Sequence, residues 1–164
     1  MNGSEYIASL KKLQRKVYIR GELAAAPVDH PLVRPSANAV ARTYELQQQP
    51  RYEELIYAQS HLSGRTINRF THIHRSADDL VNKVKLQRLL GQQTGTCFQR
   101  CVGMDALNAL EITTFEMEHD LKTPYHQRFN RFLKQVQDEN AVCGGAMTDP
   151  KGDRGKRPHE QADP

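Results

Sequence analysis

The sequence predicts a mainly α fold. Three observations carry it. Apolar residues recur with a period near 3.6 over five segments. Two of those segments open on strong start signals, Ser76-Ala-Asp-Asp79 and Thr123-Pro124. Only two short stretches, Val17–Gly21 and Arg65–Phe70, read as extended.

The elements follow in order. Ser4 can cap a first helix running to about Lys16, with Tyr6, Ile7, Leu10 and Leu13 on one face. Val17–Gly21 reads as a short strand ending in a turn, and residues 24–35 hold three prolines and form a connection. Ser36–Gln48 is a second helix, closed by Pro50. Ser76 and Asp79 form a capping box that starts a third helix to about Leu90, with Leu80, Val84, Gln87 and Leu90 expected on its buried face. A fourth helix is expected over Thr96–His119, with Met104, Leu107 and Ile112 in the core. Pro124 sits at the first position of a fifth, which carries Phe129, Phe132, Leu133 and Val136. After Asn140 the character changes: Gly144, Gly145, Gly152 and Gly155 crowd together, and the tail is polar. Two parts result, a helical domain over 1–140 and a loop segment over 141–164.

Composition bounds the function. The chain has 164 residues, enough for one modest core at 38% apolar content. Mean hydropathy is -0.71 and no apolar run could cross a bilayer, so no membrane role is expected. The first residues, Met1-Asn-Gly-Ser-Glu-Tyr6, show no secretory pattern, and a cytoplasmic setting is expected. A net charge of +4, with basic residues scattered rather than blocked, does not suggest nucleic acid. It suits a phosphate-rich small molecule such as a coenzyme A thioester or a flavin nucleotide.

Three cysteines in such a chain argue for reduced thiols. Cys97 and Cys101 stand i, i+4, which on a helix puts both sulfurs on one face, near enough for one metal centre. Two thiolates do not complete a four-ligand cluster, so further ligands would come from elsewhere. The same pair also reads as two small core residues. Cys143 reads as an ordinary thiol. The run Met147-Thr148-Asp149-Pro150-Lys151-Gly152-Asp153-Arg154 is shaped to lie against a flat or anionic cofactor: Pro150 fixes one angle, Gly152 allows a close turn, and Lys151 and Arg154 can answer an oxyanion. A plain surface turn is the competing reading. His72 and His74 share a face if their segment is extended, with polar packing favoured over metal binding, and His30 and His126 read as structural. Arg100 could pair with phosphate or with Asp105.

Six segments together resemble a known family: Val28–Pro31, Arg34–Ser36, Gly64–Phe70, Lys85–Gly91, Cys97–Asp105 and Gly145–Gly155. Over essentially its whole length the chain is similar to the N-terminal part of the 4-hydroxybutyryl-CoA dehydratase/vinylacetyl-CoA isomerase family, within the 4-hydroxyphenylacetate 3-hydroxylase superfamily. The resemblance implies the helical N-terminal domain of an acyl-CoA-dehydrogenase-like flavoprotein, with 141–164 leading into a central β domain. It implies that Cys97 and Cys101 ligate a [4Fe–4S] cluster, whose remaining His and Cys ligands lie beyond Pro164. It implies that Met147–Arg154 borders FAD, that the catalytic groups lie beyond Pro164, and that the complete enzyme is a homo-oligomer, a tetramer. The implied substrate is an acyl-CoA, 4-hydroxybutyryl-CoA, dehydrated to crotonyl-CoA. By itself this stretch is expected to be inactive. A flavin-dependent aromatic hydroxylase component, which shares the fold without a cluster, and a non-catalytic truncated fragment stand as alternatives.

Overall fold

Six α-helices and two small hairpins make up the architecture, in a computed structural model that describes residues 1–145, 152–153 and 155–160. The mainly α expectation holds. Helix α1 spans Gly3–Lys12. Its cap is Asn2 rather than Ser4: the Asn2 side chain accepts from the Glu5 amide at 2.9 Å, and Glu5 accepts from the Asn2 amide at 2.8 Å. Strands β1 (Tyr18–Ile19) and β2 (Glu22–Leu23) pair antiparallel. Arg20 and Gly21, both at positive φ, turn the chain between them, the sign that a type I′ two-residue hairpin turn needs at both positions.

Helix α2 (Arg34–Leu46) is the central element, buried at Ala37, Ala39, Val40, Ala41, Thr43, Tyr44 and Leu46. Small residues on this helix admit close neighbours. Gly3 of α1 lies so near the Ala41 carbonyl that an added Cβ would come within 2.9 Å of it. A short α3 (Glu53–Ile56) leads into β3 (Tyr57–Gln59), which pairs antiparallel with β4 (Thr66–Asn68). Of the extended stretch expected at Arg65–Phe70, only Thr66–Asn68 is strand. Arg69–Thr71 is a 3-10 turn capped by the Asn68 side chain.

Helix α4 (Ala77–Thr94) starts at the predicted box: Ser76 Oγ accepts from the Asp79 amide at 3.2 Å and Asp79 accepts from the Ser76 amide at 3.1 Å. It ends on Gly95 in the left-handed region, four residues later than expected. Its buried face differs from the expected one. Leu86 and Leu90 are buried, whereas Leu80 and Val84 are exposed. The reason lies at the cap. Asp79 turns inward to His72 and Arg69, and this sets the rotation so that 79, 83, 86 and 90 form the inner stripe.

Helix α5 (Cys101–Leu121) and helix α6 (Tyr125–Asp138) form a hairpin, with Lys122 in the left-handed conformation closing α5. Met104 and Leu107 are buried as expected, but Ile112 is exposed, since the buried residues of α5 are confined to its first turns. On α6, Phe129, Leu133 and Val136 are buried and Phe132 is not. Pro124 caps α6 instead of occupying its first turn.

One core cluster joins Leu46, Ile56, Phe70, Leu86, Leu90, Phe98 and Met104. A second joins Ile73, Leu107, Phe129 and Leu133, with Cys143 packed against it. Among the described residues no helix is long and apolar enough to cross a membrane.

The corrected face of α4 is testable by chemical denaturation. Leu86→Ala should cost about 2–5 kcal/mol of stability, and Val84→Ala should stay within about 0.5 kcal/mol. Equal losses would mean that α4 is rotated differently.

Candidate functional site

The cysteine pair sits on an irregular loop. Helix α5 begins at Cys101, so Cys97 lies outside it, and the helical spacing expected for the pair is not what unites them. The loop does so by alternation. Phe98 enters the core against Phe70, with ring centroids 5.9 Å apart. Arg100 is also buried. Gln99 takes a positive φ of 63°, which reverses the chain between them. Cys97 is left exposed and Cys101 half-buried, with their Sγ atoms 3.8 Å apart. The Gln99 amide donates to Cys97 Sγ at 3.4 Å. Burial raises the Cys101 thiol pKa, and the neighbouring Cys97 raises it further.

Two soft donors thus face one another from a single loop. Their separation matches the edge of a tetrahedron around one thiolate-bound metal, about 3.8 Å for metal–sulfur bonds near 2.3 Å. Ligands to different irons of a cubane cluster stand wider. Cys97 is the exposed one of the two and lies outside any helix.

The start of the second motif is packed onto the same place. Ala141 accepts from Arg100 Nη2 at 3.2 Å, and Asn140 accepts from the Tyr44 hydroxyl at 2.8 Å. The Cys143 carbonyl then passes over Gly103 in the first turn of α5, where any Cβ would collide with it. A Cβ on Gly145 would likewise run into Val102. The structure therefore brings the segment 141–145 against the helix turn that Cys101 begins. Met147, Thr148, Asp149, Pro150, Lys151 and Arg154 lie outside the described residues. Gly152 and Asp153 are exposed, and Asp153 Oδ1 accepts from the Gly155 amide at 2.9 Å, an Asx-type turn.

Cys143 does not join the pair. It is half-buried, its thiol pushed up by burial and pulled back by Arg100. Among the described residues no group of three or more His, Cys, Asp and Glu side chains could hold a metal ion. The chain presents two thiols, and a complete centre needs other ligands.

The histidines serve packing. His72 follows the 3-10 turn in extended backbone, and its ring meets that of His74 edge-on with centroids 6.2 Å apart, on the same side as expected although no strand forms there. His72 Nε2 lies 3.0 Å from Asp79 Oδ1, and Arg69 approaches the same carboxylate at 3.6 Å. Arg69 also donates to the carbonyls of Leu55, Glu54 and Tyr57, which fastens α3 and β3 to α4. Asn108 of α5 accepts from the His74 amide at 2.7 Å and donates to the His72 carbonyl at 3.1 Å. Burial lowers the pKa of His61, His72 and His74. His126 meets Thr114 and Phe115, and His30 accepts from the Leu32 amide. Asp105 pairs with Lys83, not with Arg100.

Sequence reading alone missed Gly103 and the true setting of Arg100. A glycine in the first turn of a helix carried a signal, since it costs helix stability unless something must pass close by.

A family model described as the N terminal of 4-hydroxyphenylacetate 3-hydroxylase matches residues 2–164. The chain is 54% identical over 164 residues to the 4-hydroxybutyryl-CoA dehydratase/vinylacetyl-CoA-Delta-isomerase of Clostridium aminobutyricum, covering 100% of this chain and 34% of that protein. A solved oxygen-tolerant archaeal 4-hydroxybutyryl-CoA dehydratase from N. maritimus matches with a TM-score of 0.88 at 59% identity, over 99% of this chain and 32% of the other. The oxygenase component of 4-hydroxyphenylacetate 3-monooxygenase, solved with FAD and 4-hydroxyphenylacetate, matches with a TM-score of 0.69 at 24% identity, over 99% of this chain and 33% of the other; this likeness concerns the fold. The chain spans about a third of the length of these relatives.

Two outcomes are expected. Gly103→Ala should destabilise by about 1–3 kcal/mol, because a backbone carbonyl must move. Gly91→Ala, in open space within α4, should stabilise by about 0.5–1 kcal/mol. Denaturation curves of both variants check the pair, and a neutral Gly103→Ala would contradict the close approach. The second outcome concerns pH. His61, His72 and His74 have folded pKa values below the unfolded value of 6.5, so the unfolded chain binds protons first. Stability is therefore full above that value and falls as the pH drops below it. His72→Gln should flatten the slope of unfolding free energy against pH between 7 and 5. An unchanged slope would show that His72 does not contribute to it.

Proposed function

The chain belongs to the 4-hydroxyphenylacetate 3-hydroxylase N-terminal family, and we propose that it forms the helical N-terminal part of a flavin- and [4Fe–4S]-dependent 4-hydroxybutyryl-CoA dehydratase. The reaction is loss of water from the acyl-CoA to give crotonyl-CoA, with isomerisation of vinylacetyl-CoA as a companion activity. One observation carries this reading: Cys97 and Cys101, 3.8 Å apart, stand on the loop whose helix turn also seats the segment leading to Met147–Arg154. An aromatic hydroxylase component, the second reading, has no use for a paired soft-donor site there.

In this reading residues 1–140 are the helical domain and 141–164 lead to a central β domain. The cofactors, when bound, supply one-electron and Lewis-acid chemistry that an unactivated β hydrogen requires. This chain's residues bind and orient. Cys97 and Cys101 would hold iron, Cys101 half-buried at the start of α5 and Cys97 exposed on the loop before it. In chemical type the donors suit iron, since both are free thiols, while their 3.8 Å separation is that of two ligands to one metal and must widen for a cubane. Thr148, Asp149, Pro150, Lys151, Gly152, Asp153 and Arg154, with Met147, would border the flavin, the backbone amides facing its polar edge and the two cations answering its anionic groups. The catalytic acid and base, the other two cluster ligands and the oligomer contacts, those of a homotetramer, would come from sequence outside this stretch. A cytoplasmic enzyme follows from the same reading.

The test is chemical. In the complete enzyme, Cys101→Ala should lose iron, acid-labile sulfide and dehydratase activity together. The 164-residue chain, given iron, sulfide and FAD anaerobically, should form no crotonyl-CoA. Full iron and full turnover in Cys101→Ala would remove the cysteine from the site, and turnover by the chain alone would show that the remaining ligands are not needed.

A further inference from the structure

We propose that Cys97 and Cys101 are a reversible thiol–disulfide modification site: when no metal is held, the pair closes into a bond within the loop, with a small-molecule disulfide such as oxidised glutathione as the oxidant. The bond is argued from the loop alone. Its consequence, that the closed pair refuses a cluster, rests on the dehydratase reading above.

Both thiols are free, and their Sγ atoms stand 3.8 Å apart. A disulfide needs about 2.05 Å. Rotation between staggered positions about one Cα–Cβ bond moves a sulfur farther than the difference. The loop holds the two residues for that encounter. Phe98 and Arg100, which lie between them, are both buried and anchor the loop in the core. Gln99 reverses the chain at a φ of 63°. A non-glycine residue keeps that conformation only where its surroundings enforce it. Gln99 also fastens the first cysteine: its amide donates to Cys97 Sγ and its Nε2 to the Cys97 carbonyl, both at 3.4 Å. The third thiol is kept apart. Cys143 packs against the core cluster of Leu107 and Phe129, whereas Cys101 packs against that of Phe70 and Met104.

The exchange balances in two steps. Cys97, exposed to solvent, displaces one small thiol from the oxidant, breaking its S–S bond and forming a mixed disulfide. Cys101 then attacks the Cys97 sulfur and releases the second small thiol. The two protein thiols lose two electrons and two protons, which leave on the two small thiols. A disulfide sulfur is no longer a thiolate donor, so neither residue can ligate iron until a reductant reopens the bond. The same closure keeps Cys97 from the irreversible sulfinic and sulfonic acids.

The bond is tested on the metal-free 164-residue chain, equilibrated with reduced and oxidised glutathione in buffer and in concentrated urea. Free thiols are alkylated and the chain is digested with trypsin. Cleavage after Arg100 separates the two cysteines, so the bond appears in the mass spectrum as peptide 89–100 joined to peptide 101–122. The joined pair should be the main oxidised product. Its equilibrium constant should be larger in buffer than in urea by about tenfold or more, because the folded loop holds the thiols together. Cys143→Ser should leave the pair unchanged and Cys97→Ser should abolish it. Recovery of Cys97 and Cys101 as alkylated thiols or as separate glutathione adducts would overturn the proposal. So would a bond to Cys143, or equal constants in buffer and urea. The consequence is tested on the complete enzyme freed of metal. Its oxidised form, given iron and sulfide anaerobically, should take up less than about a tenth of the iron that the reduced form takes, and dithiothreitol should restore the uptake. Equal uptake by both forms would overturn the exclusion. A reduced enzyme that takes up no iron and sulfide would remove the dehydratase reading and leave the disulfide standing on the peptide result.

Discussion

One guanidinium holds together parts of the chain that are far apart in sequence. Arg100 reaches from the cysteine loop to Thr43 and Tyr44 on α2, to Phe70 after β4, and to Ala141 beyond α6. Each contact is modest alone. Together they fix where α5 begins and where the chain leaves α6, and the site lies between those two points. The tight passage of Cys143 over Gly103 completes the arrangement from the other side. An apolar residue of similar size would fill the same space but could not bridge a hydroxyl and a carbonyl while lying flat against two rings.

The helices were legible because local signals and periodicity agree. The Ser76–Asp79 box stands where it was expected, and the turns of α2, α5 and α6 follow their apolar spacing. Errors arose where a long-range contact overrode a local rule. On α4 two stripes were available, and the ion pairing of Asp79 with His72 and Arg69 chose the one with Leu86. On α5, spacing alone placed Cys97 within the helix. The burial of Phe98 and Arg100 forced an irregular loop there, with Gln99 paying a positive φ. Composition and spacing marked the two thiols, but not the segment that lies against them. That proximity depends on Gly103 and Gly145, whose role shows only when the neighbouring strand of chain is in view.

The outer faces of α4 and α5 carry Leu80, Val84, Ile112 and Phe115 in the open. Single exposed apolar residues are ordinary. Ile112 and Phe115 lie past the buried first turns of α5, where the Phe115 ring meets His126 of α6 at 5.6 Å. The buried half carries the site, which explains why the fold around the cysteines is well packed although the helices extend past it.

The unequal burial of the two thiols gives the centre a direction. Cys101 is anchored in the first turn of a 21-residue helix, while Cys97 rides on a loop at the surface. In the proposed centre, a metal coming from solvent would meet the exposed Cys97 before the half-buried Cys101. Assembly and decay would then share one gate, and an oxidant approaching from solvent would meet Cys97 first. Oxygen sensitivity in such a centre becomes a property of one exposed sulfur and the few side chains that can shade it.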